Sequence, residues 1–159
     1  MPTPPPVSAE NVLELASEGT NFIVPTANGE PKTVIEALQV HAEQLRGVRI
    51  HQVFGLRGWD YFETVDPAKL RYVSYFLSPA LREPFAAGHI DLVPTDLSAM
   101  PAIVSWLPNA KLLASCSPPD KFGYVSLGMG ANYAATLLNK IPDRKSTHLN
   151  SSHQIISYA

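Results

Sequence analysis

The stretch Leu70-Arg71-Tyr72-Val73-Ser74-Tyr75-Phe76-Leu77-Ser78-Pro79-Ala80-Leu81-Arg82 runs from a strand-like segment directly into the start of a helix. Residues 71–77 are mostly apolar and aromatic, and such side chains favour strands. Ser78 is a suitable N-cap, and the fixed φ of Pro79 suits the first turn of a helix that Gly88 would close. We therefore predict a strand followed by a helix, which is half of a βαβ unit.

The same alternation of short apolar runs and helical patterns extends along the chain. Further strands are predicted at 21–24, 48–54, 90–93 and 111–116. Further helices are predicted from Ser8 to about Glu18, from Pro31 onward and over 98–106. The helix after Pro31 places one set of residues on its buried face: Val34, Ile35, Leu38 and Leu45. We therefore predict an α/β fold with an open, mainly parallel sheet and helices on both faces.

Length and composition are those of one globular domain or part of one: 159 residues, 45% hydrophobic and 16% charged. The formal charge of −2, without a cluster of Lys and Arg, argues against a nucleic-acid partner and against an anionic membrane surface. No run approaches the roughly 20 apolar residues of a membrane helix. The single cysteine, Cys116, is interpreted as a small buried hydrophobe. With no signal sequence recognisable, we expect a cytoplasmic protein.

Both ends of the chain differ from its middle. Residues 1–8 are rich in proline and are predicted to form an extended leader, with the domain over 9–143. From Arg144 the chain becomes rich in Ser, His and Asn, and residues 144–159 resemble translated sequencing-adapter DNA. We predict that this tail is not native and that the protein continues beyond about residue 143; the alternative is a genuine polar tail. We accordingly predict no metal site at His148 and His153.

The loop after the last predicted strand is stiffened by adjacent prolines and carries several polar side chains. It reads Ser117-Pro118-Pro119-Asp120-Lys121-Phe122-Gly123-Tyr124-Val125-Ser126-Leu127-Gly128 and resembles the amino-terminal domain of the acetyl-CoA hydrolase/transferase family, which includes acetate and 4-hydroxybutyrate CoA-transferases. Other segments of the chain also resemble this family and occur in the same order as in the family, between about Glu10 and Leu138. They are 34–38, 47–51, 70–82 and 88–98. Two stretches, 25–31 and 59–62, differ from the sequence that is usual in the family, and both bear on which acyl group the enzyme prefers.

The resemblance implies a covalent mechanism and its substrates. A glutamate carboxylate in such enzymes attacks an acyl-CoA thioester and becomes a glutamyl-CoA thioester, before CoA passes to an acid or to water. That glutamate belongs to the carboxy-terminal half of the family, so we assign no catalytic residue within this chain. Acyl-CoA and a small carboxylate are the implied partners, with coenzyme A a substrate and no covalently bound cofactor. The missing carboxy-terminal half and a second copy of the chain are further expected partners.

Ligands of open α/β sheets bind at the carboxyl ends of the strands, which selects the cleft candidates. They are Thr26, Asn28 and Gly29 after the first strand, Gly55 and Arg57 after the second, Ser78 after the third, and Ser117, Pro118, Pro119 and Asp120 after the fifth. Arg57 is predicted either to bind a substrate carboxylate or CoA phosphate, or to be a surface arginine. Asp120 either orients a donor in the cleft or forms an Asx turn. His51 and His89 are predicted to be buried and hydrogen-bonded.

Other functional classes have less support. The chain lacks the GxSxG, GxxxxGK[ST], CxxC and HExxH motifs, so no nucleophile elbow, phosphate loop or metal site is predicted. The glycine-rich run at 123–130 is interpreted as a hairpin or bulged strand. A non-catalytic α/β ligand-binding or assembly module remains the alternative to the enzyme. The sugar-phosphate isomerase group is a third and weaker choice, because its phosphate-binding glycine and serine loops are not recognisable in this sequence.

Overall fold

A seven-stranded sheet forms the centre of the computed structural model, which describes residues 8–118, 120–122, 124–140, 145–149 and 154–158. The strands are β1 (Asn21–Val24), β2 (Val48–Gln52), β3 (Leu70–Ser74), β4 (Ile90–Leu92), β5 (Ala110–Ser115), β6 (Lys145–Leu149) and β7 (Gln154–Tyr158). Their order across the sheet is β4-β3-β2-β1-β5-β7-β6. The first five strands pair in parallel, and β7 is antiparallel to both β5 and β6. The predicted α/β fold with a mainly parallel sheet is confirmed.

Helices cover both faces of this sheet, as predicted. They are α1 (Val12–Leu15), α2 (Lys32–Val40), α3 (Tyr61–Thr64), α4 (Arg82–Ala86), α5 (Met100–Ser105) and α6 (Asn132–Lys140). Phe22 and Val24 face α2, whereas Ile23 between them faces the core formed with α5 and α6. This alternation follows from the two-residue period of a strand, and each such side chain contributes about 1.5–3 kcal/mol on burial.

The start of the domain is less helical than predicted. A 3₁₀ turn, Ala9–Asn11, precedes α1, and α1 ends at Leu15 rather than near Glu18. The Ser8 hydroxyl does accept a hydrogen bond from the Glu10 N–H, at 3.3 Å. On α2, the predicted inward positions Val34, Ile35 and Leu38 are fully buried. Leu45 is buried too, but it lies beyond the helix.

The prediction for Ser78 is correct in position and wrong in mechanism. A 3₁₀ turn, Pro79–Leu81, leads into α4, and the Ser78 side chain makes no capping hydrogen bond. Its hydroxyl is buried without a partner among the described residues. Gly88 ends the segment with φ of +79°, as a glycine stop should.

The glycine-rich run at 123–130 is predicted to be a hairpin or a bulged strand, and its described residues form no strand, although backbone hydrogen bonds join Ser117 to Ser126 and Asp120 to Tyr124. Its described residues form an irregular loop that ends in a 3₁₀ turn, Gly128–Gly130, and leads into α6. Neither α6 nor the short α3 was predicted. Gly128 has φ of +51°, which turns the backbone away from the extended conformation of a strand.

The ends of the chain can be compared with prediction only in part. Residues 1–7 of the predicted leader lie outside the described residues. No strand was expected before about Ile155, yet β6 and β7 form a hairpin that extends the sheet from β5. Backbone pairing of this kind does not depend on side-chain identity, so the non-native origin of 144–159 stays a prediction. Within the described part of the chain, no helix has the length and apolar character needed to cross a membrane.

Candidate functional site

The sheet has a topological switch point between β1 and β5. Strands β2, β3 and β4 follow one another on one side of β1, whereas β5 lies on its other side. The chain therefore leaves the carboxyl end of β1 towards one face and that of β5 towards the other, and a switch point of this kind is where such folds bind ligands. The predicted cleft residues lie in the loops after β1, β2, β3 and β5, and all but Pro119 belong to the described residues.

The loop after β1 packs directly against the turn before α6. The backbones of Gly29 and Gly130 are so close that a Cβ on Gly29 would lie 2.7 Å from the Gly130 Cα. The Asn132 side-chain amide donates a hydrogen bond to the Thr26 hydroxyl. Ala27, between them, has φ of +50°, an uncommon conformation for a residue with a Cβ. The structure thus brings Thr26 and Gly29 together with two residues that sequence reasoning missed, while Asn28 is exposed at the tip of the loop.

Glu30 is the main functional candidate that sequence reasoning missed. Its side chain is only 1% exposed, and Oε1 accepts a hydrogen bond from Arg57 Nε at 2.7 Å. The other oxygen, Oε2, makes no hydrogen bond with the described residues. Burial raises the pKa of the Glu30 carboxyl, and the nearby polar groups of Gln52, Arg57 and Trp59 oppose that rise. The signal available in the sequence was the position of Glu30 directly after Gly29, in the loop whose residues were already chosen as cleft candidates.

Arg57 is held from two sides. Glu30 binds its Nε, and its Cζ lies 5.9 Å from the centre of the Trp59 ring, which is the geometry of a cation–π contact. The Arg57 side chain nonetheless remains 44% exposed. A buried carboxylate under a half-exposed guanidinium is not an ordinary surface ion pair, in which both groups are solvated.

A polar chain links β3, β2 and the loop after β1. The Tyr72 hydroxyl donates to Gln52 Oε1 at 2.5 Å, and Gln52 Nε2 donates to the Pro25 carbonyl at 2.8 Å. A Cβ on Gly55 would lie 2.7 Å from the Tyr72 hydroxyl. Gly55 therefore leaves room for this chain of hydrogen bonds, which is a packing role.

Two buried hydroxyls near this edge lack partners among the described residues: Tyr61 and Ser78. Burial raises the pKa of Tyr61 well above its usual value, and the negative charge of Glu30 adds to this effect. The Tyr61 hydroxyl therefore stays protonated at neutral pH. Unpaired buried polar groups are uncommon in proteins and often mark bound water or a functional site.

The loop after β5 is organised by its own side chains. Asp120 Oδ1 accepts hydrogen bonds from the Phe122 and Tyr124 N–H groups at 2.8 and 2.9 Å, which is an Asx-type turn. The Ser117 hydroxyl accepts from the Ser126 N–H at 2.9 Å and closes the base of the loop. A direct role of Ser117, Pro118 or Asp120 in a cleft stays a prediction, and Pro119 lies outside the described residues.

His51 lies away from this edge, inside the sheet. Its two ring nitrogens lie 2.8 Å from the Tyr75 hydroxyl and 2.9 Å from Asn21 Oδ1, so the predicted buried, hydrogen-bonded histidine is confirmed. Burial lowers the pKa of His51 to about 4; Arg49 adds to the effect and Asp91 opposes it. An open cavity of about 640 Å³ adjoins His51 on the sheet surface.

The remaining reactive side chains have structural surroundings. Cys116 is buried, as predicted, and burial raises the pKa of its thiol to about 11, which disfavours the thiolate. His89 is only partly buried, and its Nδ1 has no hydrogen-bond partner in the described part of the chain, so that prediction is wrong. The described residues contain no group of three or more His, Cys, Asp or Glu suited to hold a metal ion.

Comparison with protein families accounts for nearly all of the domain. Residues 6–142 match the family model described as the acetyl-CoA hydrolase/transferase N-terminal domain. The chain belongs to this family. Its enzymes are acetyl-CoA hydrolases and CoA-transferases, which confirms the resemblance of the β5 loop and of the segments before it. The match ends just before the segment whose composition differs.

The chain is also similar to individual proteins and to solved structures. The 4-hydroxybutyrate coenzyme A transferase of Clostridium kluyveri is 24% identical over 129 residues, which are 80% of this chain and 30% of that protein. The structure of RipA from Yersinia pestis has a TM-score of 0.69 at 18% identity, covering 81% of this chain and 33% of that chain. For 4-hydroxybutyrate CoA-transferase from Porphyromonas gingivalis the TM-score is 0.53 at 16% identity, covering 95% and 36%. This chain therefore spans about a third of the length of these relatives and shares their fold.

Proposed function

We propose that this chain is the amino-terminal part of a CoA-transferase or acyl-CoA hydrolase that moves CoA between small carboxylic acids, or to water. The observation that carries the proposal is the family match over residues 6–142. The switch point between β1 and β5 supports it, because open α/β sheets bind ligands at the carboxyl ends of the strands at such a point. A cytoplasmic location and a homo-oligomeric state belong to the same proposal.

The proposed chemistry requires a glutamate outside this chain. Its carboxylate attacks the thioester carbonyl and expels CoA thiolate, leaving a mixed anhydride. The thiolate then attacks the glutamyl carbonyl, which releases the first acid and forms glutamyl-CoA. Water hydrolyses this thioester, or an acceptor carboxylate re-forms an anhydride that CoA thiolate cleaves to the new acyl-CoA. Splitting the transfer in this way replaces one difficult step with easier ones.

Glu30 is not proposed as that nucleophile. Its side chain is 1% exposed, and one oxygen is bound to Arg57 Nε. An attacking carboxylate must reach the thioester carbonyl of the substrate, whereas the Glu30 carboxylate is buried and bound to Arg57. We therefore propose that the residues of this edge bind and orient the substrate.

The proposal is tested on the full-length protein, encoded by a gene read past codon 143 from independent DNA. CoA release from acetyl-CoA is measured with acetate, succinate or 4-hydroxybutyrate as acceptor and with water alone. Incubation with acetyl-CoA followed by mass spectrometry should detect CoA attached to a glutamate outside residues 9–143. A stop codon directly after the domain, or an inactive full-length protein without such an adduct, would favour the non-catalytic module.

A further inference from the structure

The guanidinium of Arg57 has one edge bound by Glu30 and one edge that no described residue binds. Glu30 engages Nε at 2.7 Å. Among the residues that the structure describes, neither Nη1 nor Nη2 of Arg57 has a hydrogen-bond partner. These two nitrogens form the donor fork that matches the paired oxygens of a carboxylate or phosphate.

The surroundings restrict the orientation of that fork. The carboxylate of Glu30 is almost completely buried, and the ring of Trp59, a buried residue, lies beside the guanidinium. An arginine on a solvated surface samples many rotamers, whereas one held at Nε and against an indole loses less freedom on binding a ligand. The anchor is itself fixed, because the Ser115 hydroxyl donates to the Glu30 carbonyl at 3.2 Å.

The edge of Arg57 that no described residue binds also lies at the correct place in the fold. Glu30 follows β1 and Arg57 follows β2, and these strands are paired in parallel next to the switch point. Burying the Glu30 carboxylate is unfavourable, and Oε2 receives no hydrogen bond from the part of the chain that the structure describes. A stability role alone would be served as well by an apolar side chain, so the pair calls for another role.

We propose that Arg57, positioned by Glu30 and Trp59, binds an oxyanion carried by the substrate, either a carboxylate at the far end of the acyl group or a phosphate of CoA. The proposal rests on the proposed function only for the identity of the molecule that carries the oxyanion. Arg57 is a binding residue, and Glu30 is a positioning residue that acts through it.

Anion binding is tested first without any enzymatic activity. The ¹⁵N-labelled chain is titrated with inorganic phosphate, succinate and butyrate at constant ionic strength, and the Arg57 Nε–H and Trp59 indole N–H signals are followed. Phosphate and succinate should shift both signals with saturation. Arg57→Lys should weaken this binding at least ten-fold, read from the Trp59 signal, because lysine keeps the charge and loses the fork.

Arg49→Lys is the matched control, since Arg49 is an exposed arginine on the sheet, away from this edge. It should leave the titration unchanged, and the spectra of both variants show directly whether they are folded. Linear, non-saturating shifts, or equal affinities in wild type and folded Arg57→Lys, would overturn the proposal.

The source of the oxyanion is tested on the full-length enzyme. If Arg57 binds the acyl carboxylate, Arg57→Lys should lower kcat/KM for succinyl-CoA at least ten-fold more than for butyryl-CoA. If Arg57 binds the 3′-phosphate of CoA, the substitution should lower kcat/KM equally for both donors. It should then leave kcat/KM unchanged for the 3′-dephospho analogues of these donors. Unchanged kcat/KM for all four donors would overturn the proposal while leaving the CoA-transferase function intact. An enzyme inactive with every donor would instead remove the proposed function, and the titration would still report on Arg57.

Discussion

Gly29 and Gly130 meet backbone to backbone at the switch point of the sheet. A Cβ on Gly29 would lie 2.7 Å from Gly130 Cα and 2.7 Å from Pro25 Cβ, and a Cβ on Gly130 would lie 2.9 Å from Gly29 Cα. Backbone atoms at such distances cannot give way as a flexible side chain can. The loop after β1 and the turn before α6 therefore depend on both glycines for their contact.

Gly29→Ala and Gly130→Ala should each lower the free energy of unfolding by about 1–3 kcal/mol, because the added methyl group overpacks the contact. Gly58→Ala is the matched control: its Cβ would meet only the Ala80 carbonyl oxygen, at 3.9 Å. Its effect should stay within about 0.5 kcal/mol. Urea unfolding of the three variants measures this, and equal effects at Gly29 and Gly58 would contradict the close packing.

His51 should make the stability depend on pH. Burial lowers its pKa from 6.5 to about 4, so the folded state binds fewer protons than the unfolded chain between these values. Its contribution is present above pH 6.5 and is lost as the pH falls towards 4, by up to about 3 kcal/mol.

Urea midpoints measured from pH 4 to 7 test this effect. His51→Gln should flatten the dependence over that window. A slope that survives in His51→Gln would show that other groups cause it.

Asp120→Ala should lower the turnover of the full-length enzyme ten-fold or more, about 1.4 kcal/mol, with a nearly unchanged melting temperature. The physical reason is the Asx turn: without Oδ1, the Phe122 and Tyr124 N–H groups lose their acceptor and the loop loses its shape. Asp120→Asn keeps an acceptor oxygen and should retain most of the turnover. Normal kinetics in Asp120→Ala would leave Asp120 as a turn former alone.

The tail predicted to be non-native should be absent from the natural protein. Residues 144–159 follow a sharp change in composition, and the family match ends at residue 142. Mass spectrometry of the protein purified from its source should therefore find no peptide spanning His148 to Tyr158. Detection of such a peptide would establish a genuine polar tail.

The 159-residue chain by itself should neither hydrolyse acetyl-CoA nor transfer its acyl group. The proposed nucleophile lies outside the chain, and without it the covalent route does not exist. A thiol-release assay with acetate and succinate as acceptors measures this against a no-enzyme blank. Release well above the blank that persists through further purification and is lost in Glu63→Gln or Glu83→Gln would show that catalysis does not need the proposed carboxy-terminal part.

The candidate site could be predicted only in outline. The loops after the strands were identified because the strand ends can be read from local patterns, and Thr26, Gly29 and Arg57 were chosen for that reason. Glu30 was missed because its burial depends on Arg57, 27 positions later, and on the packing of Trp59. Ser78 was predicted to cap the following helix because of its residue type. Its hydroxyl is instead buried without a hydrogen-bond partner among the described residues.

The sequence by itself determined the order of the five parallel strands and of the helices α1, α2, α4 and α5, and the faces on which their apolar residues lie. Phe22 and Ile23 point to opposite cores because adjacent residues of a strand alternate, which is a local property of the backbone. Only the tertiary structure decided that β5 lies beside β1 and that Gly29 touches Gly130. Such contacts join segments far apart in the chain, and no local pattern encodes which segments will share a crevice.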